Sequence, residues 1–208
     1  MKTKTLILKA AVALAVAAPL FASAESQFTT GVGTPITATA HLDFQIIIPK
    51  VLFLQVGTGT ANATNATINQ IAFTVPAANV GNGTAVAATV GSGDLGNGVV
   101  TARVIGNNGT ITFTSTTLGA LGNGSGDTIS YAQIATAVAV NTSATALAHP
   151  ALVDAATSTV TLTPAVGKVM NRDAKWTYTY LNSAVVAPGT YGGVNANNSR
   201  VTYTASMP

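Results

Sequence analysis

Residues 175–181 read Lys-Trp-Thr-Tyr-Thr-Tyr-Leu, so large aromatic side chains alternate with threonine at every second position. Successive side chains of a β-strand point to opposite faces, and this pattern therefore places Trp176, Tyr178 and Tyr180 on one face. Aromatic and β-branched residues also favour strands. The stretch predicts a β-strand with one aromatic face, which we expect to belong to the core.

The same alternation recurs along the chain, with Gly- and Asn-rich turns between the apolar stretches. The most apolar stretch, residues 44–56, contains Pro49, which predicts two strands or one bent strand, both deep in the core. The turn at residues 106–109 predicts a hairpin, because Gly and Asn accept positive φ angles. Further strands are predicted at residues 34–44, 67–75, 84–90, 99–105, 110–116, 128–134, 157–163 and 200–207.

These segments predict an all-β fold, an immunoglobulin-like or pilin-like antiparallel β-sandwich of about nine or ten strands. One short helix near residues 131–148 is an alternative for that Ala-rich stretch. We expect residues 36–208 to form a single domain, since no linker, charge run or repeat divides them and the length suffices for one core.

The first 24 residues have the pattern of a secretory signal peptide: a lysine-containing start, an apolar stretch and Ala-Ser-Ala at 22–24. Cleavage would leave Glu25 as the first mature residue, while an uncleaved membrane anchor is the alternative. No later stretch approaches the roughly 20 apolar residues of a spanning helix. The pattern predicts export to the cell surface or beyond, and the absence of cysteine excludes disulfides.

Charged residues make up only 7% of the sequence. Without the three lysines of the signal peptide, six basic residues balance six acidic ones, and no basic patch remains. Nucleic-acid binding is therefore not expected. A near-neutral surface gives weak repulsion between molecules, which suits a protein that self-associates.

Catalytic and cofactor-binding motifs are not evident, and we predict neither an enzyme nor a cofactor or metal site. The single Glu is Glu25, which leaves no second Glu for paired-carboxylate chemistry. His41 and Asp43 share one face of a predicted strand, a pattern more typical of a solvent-facing edge than of a metal site. Asp94 and Asp127 lie in Gly-rich loops, where aspartate more often forms turns than binds calcium.

The mature N-terminus, residues 25–35, forms an uncharged arm after Glu25, and an alternating strand is predicted to follow it. An uncharged strand edge invites pairing with another chain, so this arm is a candidate donor strand for a neighbouring subunit. Such head-to-tail contacts produce open filaments. The candidate donor residues are Phe28, Val32, Ile36, Ala38, Ala40, Leu42 and Phe44.

The two ends of the chain resemble those of pilin-type β-sandwich subunits. The resemblance rests on the alternating N-terminal arm, the Pro-Gly-Thr-Tyr turn at 188–191 and a last strand at 201–205 with alternating Val and Tyr. In chaperone–usher pilins a neighbour's N-terminal extension completes each sandwich, so the resemblance implies a periplasmic chaperone and an outer-membrane usher as partners. The absence of cysteine departs from the many pilins that carry a disulfide.

Together these features predict a structural subunit of an extracellular filament that polymerises with itself. The alternative is a monomeric surface module that binds glycans. In that case Trp176, Tyr178 and Tyr180 would form an exposed strip on which sugar rings stack.

Overall fold

The computed structural model describes residues 26–33 and 35–208. The predicted signal peptide, together with Glu25 and Thr34, lies outside the described residues. The chain divides into two units, and the boundary falls between Ile48 and Pro49. The sequence placed the end of the N-terminal arm earlier, at residue 35.

Ten strands lie in the second unit, and their number agrees with the sequence prediction. An all-β fold is confirmed. The short helix near 131–148 is wrong as an α-helix, since that stretch holds one 3₁₀ turn, Tyr131–Gln133, followed by a strand. A second 3₁₀ turn spans Ala77–Asn79. The strands are β1 Leu52–Val56, β2 Val86–Ala87, β3 Val99–Gly106, β4 Ile111–Thr116, β5 Leu121–Gly122, β6 Thr128–Ile129, β7 Ile134–Ala139, β8 Thr157–Leu162, β9 Met170–Tyr180 and β10 Thr202–Ser206.

The strands form two main antiparallel sheets and a small ribbon of β5 and β6. In the first sheet β9 pairs with β3 and β2 along one edge and with β7 along the other, and β1 lies beyond β3. The second sheet has the order β10-β4-β8. This arrangement makes β7 the last strand on its side of the first sheet.

The core lies between the two sheets, where the aromatic face of β9 meets the inner face of β4. Trp176 and Phe113 are both fully buried, with ring centroids 6.1 Å apart. Ile111 and Leu162 extend the inner face of the second sheet, and both are buried. β4 alternates buried and more exposed side chains, and so does β9 from Ala174 to Tyr180, as the period-2 sequence pattern predicts.

The predicted hairpin at residues 106–109 is wrong. β3 belongs to the first sheet and β4 to the second, so this turn crosses between sheets. The Asn107 side chain fixes the crossing by accepting from Val51 N at 2.8 Å and donating to Pro49 O at 2.8 Å. Asn and Gly permit a tight reversal, but contacts distant in sequence determine which strand the chain pairs with next.

Five predicted strands are wholly or partly absent from the structure. The strand predicted at 84–90 is reduced to Val86–Ala87, and that at 128–134 is interrupted after Ile129 by the 3₁₀ turn. No strand forms at 35–44, and 44–51 is exposed, so of the stretch predicted deep in the core only β1 is a strand. Residues 67–75 also form no strand, although Ile71 and Phe73 pack against the core. Alternation indicates an extended, two-sided segment, but a strand also needs a neighbouring strand to pair with. Among the described residues, no helix has the length and apolar character needed to cross a membrane.

Candidate subunit interface

The most exposed apolar surface of the described chain is its N-terminal segment. Here "the arm" means residues 35–48, which lie between Pro35 and Pro49. Phe44 is 85% exposed and Ile47 is 83% exposed. Contiguous apolar exposure on this scale marks an interaction surface more often than it occurs on a monomer. All of the candidate donor residues are exposed: Phe28, Val32, Ile36, Ala38, Ala40, Leu42 and Phe44.

The beginning of the arm is connected to residues 26–33 by two hydrogen bonds. The Thr39 backbone N–H donates to the Gln27 side-chain oxygen at 2.8 Å, and the Thr29 hydroxyl donates to Thr37 O at 3.4 Å. No strand ladder is formed by residues 35–50. The arm therefore has no strand partner among the described residues, and it is a candidate to pair with the sheet of another molecule.

The three aromatic residues of β9 lie in the core. Trp176 is fully buried, and Tyr178 and Tyr180 are buried as well. The Trp176 indole N–H donates to Leu147 O at 2.9 Å, inside the protein. A sugar ring cannot stack on these faces in this conformation, so the structure places the residues in the core that the sequence favoured.

Beside these aromatic residues, a groove opens along β7. It has a volume of about 310 Å³. One wall is the inward-pointing face of β7, and the other is the segment around residues 149–152, which hydrogen-bonds to β4 through Ser115. Its lining includes Tyr131, Ile134, Thr136, Val138, His149 and Leu152.

The free edge of β7 can be assigned residue by residue. Leu181 N donates to Gln133 O at 2.8 Å, so the backbone of residue 133 faces β9. Backbone groups alternate between the two edges of a strand, so those of Ile134, Thr136 and Val138 point away from β9. In the described part of the chain β7 pairs with β9 alone. Thr136 and Val138 therefore present unpaired backbone groups and groove-facing side chains. The Ile134 side chain also faces the groove, but its N–H donates to Tyr131 O in the preceding 3₁₀ turn.

A polar cluster at the groove joins the two sheets. His149 Nε2 lies 3.0 Å from the Tyr178 hydroxyl and 2.7 Å from the Tyr203 hydroxyl, and the two hydroxyls are 3.1 Å apart. Burial lowers the pKa of His149 to about 4 and raises that of Tyr178 to about 12. All three groups are neutral near pH 7, which keeps this end of the groove uncharged.

A second polar cluster is centred on Asp173, which is almost fully buried on β9. Its carboxylate accepts from the Arg103 guanidinium at 2.8 Å and from the backbone N–H groups of Thr142 and Ser143 at 2.9 and 2.8 Å. Burial alone would raise the pKa of Asp173, but these hydrogen bonds outweigh it and hold the pKa well below its usual range. The cluster fastens the loop after β7 to β9, a structural role.

The remaining acidic candidates are turn formers in the structure. Asp94 accepts from Thr101 N at 2.8 Å, and Asp127 accepts from the Asn123 side chain at 2.8 Å. Across residues 26–33 and 35–208, no group of three or more His, Asp or Glu side chains is placed to hold a metal ion. His41 and Asp43 are both exposed, within the arm.

No protein-family model, characterised protein or solved structure matches this chain significantly.

The sequence predicted a donor arm at residues 25–35 with candidate donor residues as far as Phe44, but it did not predict the groove. The signal for β7 was weak, because Ile-Ala-Thr-Ala-Val-Ala at 134–139 has small residues on its outer face. The pattern of inward Ile, Thr and Val was present in this stretch, but it does not show that the other edge of the strand is unpaired.

Proposed function

We propose that this protein is the structural subunit of an extracellular filament in which one molecule contributes its arm to the sheet of the next. The observation that carries the proposal is the arm itself: a segment with an alternating sequence and apolar side chains that is exposed and forms no strand ladder. Strand addition provides hydrogen-bond partners for the backbone of such a segment and buries alternate side chains in one step.

The composition supports this role. Asp43 is the one charged side chain of the arm and alternates with its apolar residues, and the mature chain has as many basic as acidic residues, so net charge does not oppose association. The aromatic residues of β9, which a glycan-binding module would expose, are buried in the core. A donated arm also gives a heterologous contact, which continues from subunit to subunit rather than closing as a symmetric dimer.

The proposal also includes export of the protein and its assembly into the filament. A segment as apolar as the arm needs protection before it reaches a partner, because exposed strands aggregate. A periplasmic chaperone and an outer-membrane usher, as in pilin-type assembly, are the partners that we propose for this step. The protein would act on the cell surface after removal of its signal peptide.

The test is a comparison of the two faces of the arm. Leu42→Asp and Phe44→Asp alter the apolar face, whereas Thr37→Asp and Thr39→Asp add the same charge to the opposite face. Negative-stain electron microscopy and sedimentation of the mature protein should show filaments for the wild type and the two threonine variants, and monomers for the other two. Wild-type protein that stays monomeric at high concentration with its arm intact would contradict the proposal, as would filaments of Leu42→Asp.

A further inference from the structure

We propose that the free edge of β7, with the groove beneath it, is the acceptor site for the arm of a second copy. This inference rests on the proposed function and specifies which edge of the sandwich is used. The occupant is residues 36–44 of the donor, with Ile36, Ala38, Ala40 and Leu42 directed into the groove.

The groove-facing side chains of β7 are incompletely covered. Its groove-facing side chains belong to the face that β9 buries, since Val138, Thr136 and Ile134 lie opposite Trp176, Tyr178 and Tyr180. Nevertheless Val138 is 42% exposed. An inward-pointing apolar side chain that remains exposed indicates that one strand is missing from this side of the core.

The backbone groups of the β7 edge and of the arm are complementary. The N–H and C=O groups of Thr136 and Val138 and the C=O group of Ile134 point away from β9, and they are available to a further antiparallel or parallel strand. Six residues of β7 extend over roughly 20 Å at about 3.3 Å per residue. The arm between Pro35 and Pro49 is longer than this, and it contains no other proline to interrupt pairing.

The lining of the groove and the apolar face of the arm also match chemically. The groove is lined by apolar side chains with a threonine, Tyr131 and His149, and no residue named in its lining is acidic, lysine or arginine. Side chains at 36, 38, 40 and 42 of the arm are aliphatic, whereas His41 and Asp43 lie on its other face. A strand added to β7 in this orientation buries the aliphatic side chains of the arm against the apolar lining of the groove. The Asp43 carboxylate then remains in solvent.

The other main sheet offers a contrasting edge. β8 is the last strand of that sheet, and Thr157, Thr159 and Thr161 are all exposed. Thr117 N donates to Ala156 O, so the backbone of Thr159 points away from β4 in the same way that Thr136 points away from β9. β8 therefore supplies a matched control: an edge threonine with a free backbone N–H.

The first experiment removes one edge hydrogen-bond donor at a time from the full mature protein. Thr136→Pro deletes an N–H that faces the proposed acceptor side, and Thr159→Pro deletes its counterpart on β8; proline is tolerated at such edge positions. Val138→Asp places a charge in the groove, and Val166→Asp places the same charge on an exposed loop. We expect filaments to be lost for Thr136→Pro and Val138→Asp and kept for both controls, with circular dichroism unchanged in all four.

The second experiment locates the arm directly. The chain has no cysteine, so any disulfide comes from introduced residues. Val138→Cys is combined in one protein with a cysteine at each arm position from 36 to 42, and oxidised filaments are analysed by non-reducing electrophoresis and peptide mass spectrometry. We expect ladders of linked subunits for positions 36, 38, 40 or 42, with a maximum at the true register, and none for 37, 39 or 41.

The outcomes separate the two proposals. Filaments that depend on the arm but not on Thr136 or Val138, and that give no alternating crosslinks, would show that another edge accepts the arm; the proposed function would then stand and this inference would fall. Crosslinks confined within one chain would also overturn this inference. Filaments that form without the apolar face of the arm would overturn both.

Discussion

Val138 lies directly opposite Trp176 across the β7–β9 ladder, on the same face of the sheet, yet Trp176 is fully buried whereas Val138 is 42% exposed. Paired residues point to the same side, so orientation does not explain the difference. Phe113 and His149 pack against Trp176, whereas Val138 lines the open groove. The core is thus closed over β9 and open over β7.

The buried carboxylate on β9 should be important for stability. Asp173→Asn keeps the shape of the side chain but removes its negative charge. That charge pairs with Arg103, and the carboxylate oxygens accept hydrogen bonds from the Thr142 and Ser143 N–H groups. Breaking one side of a buried ion pair typically costs about 3–5 kcal/mol, and because Arg103 is partly exposed we expect a loss of about 2–3 kcal/mol. Urea unfolding gives the value, with Asp127→Asn in an exposed loop as the control. A loss below about 0.5 kcal/mol, the usual range for surface changes, would show that the cluster is not stabilising.

The histidine at the groove should make stability depend on pH between about 6.5 and 4. The pKa of His149 is lowered to about 4 in the folded protein, so the unfolded chain binds a proton first as the pH falls. Stability is therefore complete above pH 6.5, decreases down to pH 4 and then levels off for this group, by at most about 3 kcal/mol in total. Unfolding midpoints measured across this range should fall, and His149→Gln should flatten the curve. An equal slope in that variant would assign the dependence to other groups.

The single tryptophan should report on the core. Trp176 is fully buried and donates to Leu147 O, so its fluorescence should be blue-shifted in the folded protein and shift to the red on unfolding. Trp176→Phe removes this donor from a buried carbonyl and leaves a small cavity, which should cost about 2–3 kcal/mol. Tyr191→Phe, which removes an exposed hydroxyl bond to Ala187 O, is the matched control and should change stability by less than about 0.5 kcal/mol. If both variants unfold at the same denaturant concentration, the burial assigned to Trp176 is wrong.

A buried amide after β9 should hold the loop at residues 79–84. The Asn182 side chain donates to Asn79 O at 2.6 Å and accepts from Gly81 N at 2.9 Å, and its backbone has a φ of 53°. Asn182→Gly retains this backbone conformation while removing the amide, so its effect isolates the side-chain hydrogen bonds. We expect a loss of about 1–3 kcal/mol and faster hydrogen exchange at the Gly81 N–H. Asn195→Gly, at an exposed residue with the same φ, should lose little.

The sequence allowed the fold class to be predicted. Strands with strong alternation formed where expected, as β3, β4, β8 and β9 show, because period-2 patterning depends only on which side chains can face a core. The apolar face of the arm was equally evident from its residues. Residues 35–44 show the limit: they alternate as clearly as β8, yet they form no strand, because pairing requires a partner that the sequence of the segment does not specify.

By itself, the sequence determined the all-β architecture, the near balance of charges and the absence of disulfides, since these follow from residue types and their spacing. Only the tertiary structure decided that the turn after β3 crosses between sheets, that the aromatic face of β9 is buried, and that β7 has a free edge above a groove. Each of these depends on contacts between residues far apart in sequence, such as Asn107 with Val51 and His149 with Tyr203. Such contacts form only when particular strands become neighbours in the sheet. The local pattern of a segment does not specify which strand that neighbour is.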